Sequence, residues 1–185
     1  MEIDLNMSSI MPMLGFLRDL KNGQADRKQI SDIFNHSDYD FEFRRYEVAS
    51  KENIIDYFMR INTITESEIP ILNQERKTAL IDRHTLWLSA YENPEQYEIL
   101  YDKINSFITD KILDDICAQV KRGLPTDIDI GKIRIISTMS IGPSFGYVFD
   151  GALHFDIMGY GYALDASKKI MYNKGYGISK NTYGI

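Results

Sequence analysis

Lys132 to Gly159 reads KIRIISTMSIGPSFGYVFDGALHFDIMG, and this stretch decides the fold. Ile133, Ile135 and Ile136 with Thr138 and Met139 predict one strand; Tyr147 to Phe149 and Ala152 to Ile157 predict two more. Gly142, Gly146 and Gly151 break the run. Asp150-Gly151 matches the two-residue hairpin signal, in which both central residues take positive φ. The expectation is a small antiparallel sheet.

Upstream the pattern is helical. Met11, Leu14, Leu17 and Leu20 recur at helical spacing before Asn22-Gly23, and Ile30, Ile33 and Phe34 share one side of a second short helix. Asp38 to Val48 is ambiguous: Tyr39, Phe41 and Phe43 alternate as in a strand, while Ser37-Asp38 suits a helix start. Helix is expected there, since both neighbours are helical. Ser50 opens a helix over 51–62, and Ala79, Leu80, His84, Trp87 and Leu88 mark another over 74–91. Asn93 as cap and Pro94 at the first helical position start a long helix running to Lys121 or Arg122. Gly123 and Pro125 end it.

Helices followed by a sheet make an α+β protein. The expected organisation is a helical bundle over 1–125, a small antiparallel sheet with its hairpin over 126–159, and a short helix with a poorly patterned tail over 160–185. Ala163 to Tyr172 can form about two turns, and fraying is expected beyond.

Composition narrows the partners. With 44% hydrophobic and 26% charged residues, the 185-residue chain is ordinary for a globular protein. A net charge of -6 with scattered Lys and Arg argues against nucleic acid, which needs clustered cations. No run approaches the roughly 18 apolar residues of a membrane span, and MEIDLNMSSIMPMLGFL lacks the basic start of a signal peptide. A cytoplasmic location is the expectation. Cys117, the single cysteine, excludes an internal disulfide and a finger-type zinc site, and reads as a small buried hydrophobe.

Three local patterns bear on chemistry. Gly142-Pro143-Ser144-Phe145-Gly146 matches G-x-S-x-G letter by letter, but that motif needs a following helix, and a hairpin follows here. A plain turn accounts for it. His154 and Asp156 lie two apart on a strand and so share a face, as a base with its orienter or two metal ligands would. A structural histidine explains the pair more simply, because His36 and His84 offer no third ligand at a useful spacing. In Asp82-Arg83-His84, His84 shares the apolar side with Trp87 whereas Asp82 and Arg83 do not, which suits a packed, hydrogen-bonded imidazole.

The segments His36 to Tyr46 (HSDYDFEFRRY), Asp82 to Leu88 (DRHTLWL) with Glu92-Asn93-Pro94, and above all Ser140 to Asp156 (SIGPSFGYVFDGALHFD) resemble bacterial zinc-dependent peptidases of the gluzincin type, over about residues 30 to 160. The resemblance implies a helical region leading into a small sheet whose last strand is an edge that binds extended substrate by strand addition. It makes Ala152, Leu153, His154, Phe155 and Asp156 the substrate-binding edge strand, with Tyr147 to Phe149 as its hairpin partner. It also implies a following helix with H-E-x-x-H, whose histidines hold zinc and whose Glu activates water.

No histidine follows His154, and Tyr160 to Ile185 contains no glutamate. No catalytic residue, metal ligand or cofactor therefore carries over to this chain, and zinc is implied only for full-length relatives. The expectation is the N-terminal part of a metallopeptidase, without hydrolase activity as it stands. The Tyr-, Lys-, Asn- and Gly-rich ending suits a truncated or frame-shifted product better than an early stop or an inactive relative. The competing expectation is a non-catalytic module that binds peptide or protein, or a second copy of itself, through the exposed edge strand.

Overall fold

The computed structural model describes residues 2–46, 50–69, 77–125, 131–142 and 146–158. Strand β1 (Glu2–Asn6) precedes seven helices: α1 (Ile10–Lys21), α2 (Arg27–Phe34), α3 (Ser37–Tyr46), α4 (Lys51–Met59), α5 (Lys77–Glu92), α6 (Pro94–Phe107) and α7 (Asp110–Gly123). Strands β2 (Lys132–Thr138), β3 (Gly146–Phe149) and β4 (Ala152–Asp156) follow. The protein is α+β, as its sequence indicates.

Local chemistry starts several helices, and Ser50 caps α4 as expected. The side chains of Asp26, Ser50 and Thr109 accept hydrogen bonds from the backbone N–H of Gln29, Asn53 and Ile112, satisfying donors that a helix start leaves open. Asn93 stands at the cap position and Pro94 opens α6, but the Asn93 amide donates to the Ser89 carbonyl instead of capping. The single long helix expected after Pro94 is two helices: Ile108 and Thr109 leave helical geometry, and Thr109 recaps the chain into α7. Cys117 is buried.

The bundle core gathers Ile10, Met13, Leu14, Phe16 and Leu17 of α1 with Phe34, Phe58 and Trp87. The Phe34 ring meets Tyr39 at 5.1 Å, Phe43 at 5.5 Å and Phe58 at 5.4 Å, and Phe58 stands edge-on to Trp87 at 4.6 Å. Each such side chain stabilises the fold by roughly 1.5–3 kcal/mol. Met139, Ile141, Ile157 and Met158, just past the ends of β2 and β4, join the same core. The bundle thus closes over the C-terminal ends of those strands.

The sheet differs from expectation in two ways. Its order is β1-β2-β4-β3; β1 and β4 both run parallel to β2, and only β3 and β4 are antiparallel. The sheet is therefore mixed, and its first strand comes from the N-terminus, inside the segment read as helical. Secondly, β4 is not an edge. Arg134 to Thr138 pair with it on one side and Gly146 to Phe149 on the other. Among the described residues, the outer strand on this side of the sheet is β3. The expected hairpin is present, with φ of 49° at Asp150 and 69° at Gly151.

Among the described residues, no helix is long and apolar enough to cross a membrane.

Candidate functional site

On β4 Ala152, His154 and Asp156 are buried on one face, while Leu153 and Phe155 are half-buried on the other. Helix α3 lies over the first face and α5 reaches its far end. His154 and Asp156 do share a side, as strand periodicity predicts, yet they engage different partners.

Asp156 is 1% exposed and forms an ion pair with Arg83 of α5, itself 3% exposed. Its other oxygen accepts from the N–H of Ser140 at 3.0 Å and of Met158 at 3.1 Å. Arg83, expected off the apolar side, is buried because this carboxylate meets it. His84 packs as expected, its Nδ1 2.8 Å from the Tyr57 hydroxyl. The Asp82 side chain lies outside the described residues.

A second buried carboxyl, missed in the sequence, is Glu42 of α3. It accepts from the Thr138 hydroxyl at 2.5 Å, the Ser140 hydroxyl at 3.0 Å and the Ile141 N–H at 2.7 Å. Burial pushes its pKa up to about 7; the Thr138 and Ile141 hydrogen bonds oppose, and nearby Asp156 adds to the rise. Tyr39 donates to the Met139 carbonyl at 3.2 Å, and the Trp87 indole to the Ser140 carbonyl at 3.2 Å. The chain leaving β2 is thus pinned from α3, α5 and β4. This anchor delivers it to Gly142, where the G-x-S-x-G pattern begins; Pro143, Ser144 and Phe145 lie outside the described residues.

His154 has another environment. Its ring stacks on Tyr147 with centroids 4.6 Å apart and planes 5° from parallel, and Phe41 covers it at 5.1 Å. Among the described residues, neither ring nitrogen has a well-formed hydrogen-bond partner. Desolvation lowers its pKa; the Phe149 backbone opposes, and Arg134 and Arg45 add to the lowering. Neutral imidazole is the stable form here. The His154→Phe variant should keep the ring stack and lose two unsatisfied atoms, gaining about 0–1 kcal/mol at pH 7. It should also remove the stability decrease expected of the native chain as pH falls below 6.5, where the unfolded histidine takes up protons first. Denaturant unfolding at pH 7 and pH 5 checks both effects.

These residues do not fit a zinc site. The Asp156 oxygens are engaged by Arg83 and two backbone N–H groups, and His154 lies between two rings. Among the described residues, no three His, Cys, Asp or Glu side chains stand close enough together to hold a metal ion.

The accessible part of the site is β3. A two-residue turn makes Phe149–Ala152 a hydrogen-bonded pair, and by alternation Tyr147–His154 is the next. Gly146 and Val148 therefore direct N–H and C=O away from β4. Val148 is 73% exposed. Guanidinium groups cover the other face of the strand: Arg45 lies 4.2 Å from the Tyr147 ring, and Arg44 lies 5.7 Å from Phe149 and 4.9 Å from Phe41. Arg44 also pairs with Asp150 at 2.9 Å.

No family model matches the chain, and no curated protein or solved structure matches it either.

Proposed function

We propose that this chain is the scaffold portion of a zinc-peptidase-like protein, acting without zinc chemistry of its own and taking an extended polypeptide by strand addition along β3. The resemblance in Ser140 to Asp156 supports the ancestry, and the sequence has no H-E-x-x-H to supply a metal or a base. One observation carries the binding role: β3 is an outer strand with Gly146 and Val148 turned outward and Val148 exposed. The residues first expected to bind, Ala152, Leu153, His154, Phe155 and Asp156, then support that edge from the next strand. The lone buried Cys117 suits a reducing cytoplasm.

Hydrogen exchange tests the reading. A heptapeptide of alternating Thr and Val should slow the Gly146 and Val148 amides without altering those of Tyr147 and Phe149. The Val148→Pro variant should abolish the effect yet keep the fold, since the N–H it removes is outside the β3–β4 ladder. Unchanged exchange at saturating peptide would refute strand addition. Slowing that depends on protein concentration alone would identify a second copy of the chain as the occupant.

A further inference from the structure

We infer that the polypeptide taken along β3 is acidic, with carboxylates at alternate positions; this rests on the strand-addition reading above. Tyr147 and Phe149 lie two apart on one face of the outer strand. The consecutive residues Arg45 and Arg44, at the end of α3, place one guanidinium over each ring. A strand laid outside β3 would put every second side chain on this face, at steps of about 6.8 Å, beside those two cations. Arg44 is 54% exposed and gives one hydrogen bond to Asp150, and a guanidinium has several further N–H donors for an incoming carboxylate.

The charge pattern is local. The chain as a whole carries -6, so a paired cationic rim along its open edge runs against the general balance. The ring contacts hold the guanidiniums in place before a partner arrives, which lowers the ordering cost of binding. On the opposite face Val148 is exposed and Leu153, directly across from it, is half-buried. The residue between two carboxylates would rest there. The recognised pattern is therefore acidic, apolar, acidic in an extended segment.

Three fluorescent heptapeptides with Val at even positions and Glu, Gln or Lys at odd ones separate the possibilities by anisotropy. At about 0.05 M salt the Glu peptide should bind about tenfold more tightly than the Gln peptide, and at about 0.5 M the advantage should shrink. Arg44→Gln and Arg45→Gln should each weaken the Glu peptide and leave the Gln peptide unchanged. Asp150→Asn, at a backbone conformation that Asn tolerates, should release Arg44 and tighten the Glu peptide. Circular dichroism checks that each variant is folded. Equal affinity for the Glu and Gln peptides, or preference for Lys, would overturn the acidic specificity and leave the edge reading standing. No binding by any of the three would overturn both.

Discussion

Asp156→Ala is expected to cost on the order of 3–5 kcal/mol in urea unfolding, among the largest losses available to a single substitution here. The carboxylate is 1% exposed, and its removal strands the Arg83 guanidinium, 3% exposed, without that counter-charge. It also takes the acceptor from the N–H groups of Ser140 and Met158. Asp156→Asn keeps the shape but not the charge, so an intermediate loss is expected. Pairing Asp156→Leu with Arg83→Met should recover only the ion-pair share of the loss, because an apolar pair substitutes for a buried ion pair at little cost while the Ser140 and Met158 N–H groups stay without their acceptor. A single-variant loss below about 1 kcal/mol, the worth of an exposed pair, would mean that the ion pair does not hold α5 to the sheet.

The second large effect depends on pH and centres on Glu42. Its folded pKa of about 7 lies above the ordinary 4.5, so between those values the native state keeps a proton that the unfolded state has released. Stability then falls as pH rises through that window and levels off above it. The integrated loss is on the order of 3 kcal/mol, from 1.36 kcal/mol per pH unit of displacement. Glu42→Gln should remove this slope. Glu42→Ala should cost several kcal/mol at all pH values, because the Ile141 N–H and the Thr138 and Ser140 hydroxyls lose their buried acceptor. His154 acts in the opposite direction, so Glu42→Gln isolates the histidine limb and His154→Phe isolates the glutamate limb. A native chain equally stable from pH 5 to pH 8, with both variants flat, would rule out the buried ionisable pair as a determinant of stability.

What the sequence disclosed was whatever local chemistry determines. The Ser50 cap, the proline at α6, apolar spacing in the bundle and the Asp150-Gly151 turn all act within a few residues and were readable. The alternation of Tyr39, Phe41 and Phe43 looked like a strand because α3 is covered on two sides. Tyr39 and Phe43 meet Phe34 in the bundle, while Phe41 meets His154 on the sheet. Aromatic residues on opposite faces of a helix imitate period two.

What escaped notice depends on distant partners. Strand β1 has only five residues, and its partner is the start of β2, so nothing nearby in the sequence announces it. The hairpin was legible but the parallel neighbour of β4 was not, and that neighbour moves the edge from β4 to β3. Glu42 and Arg83 look like solvated helix residues until Ser140 and Asp156 come to meet them. For the sheet edge, the sequence indicated the hairpin but took its inner strand for the outer one.

The parallel pairing of Glu2–Asn6 with Lys132–Ile136 also constrains how the molecule is made. Strand β1 is synthesised before the helices, and its neighbour in the sheet, β2, emerges only after α7. The helices form contacts among close neighbours and can assemble during that interval, whereas closing so long a loop is entropically slow. Translation therefore passes through a stage in which the helices carry β1 without its β2 partner, and the arrival of β2 ends it.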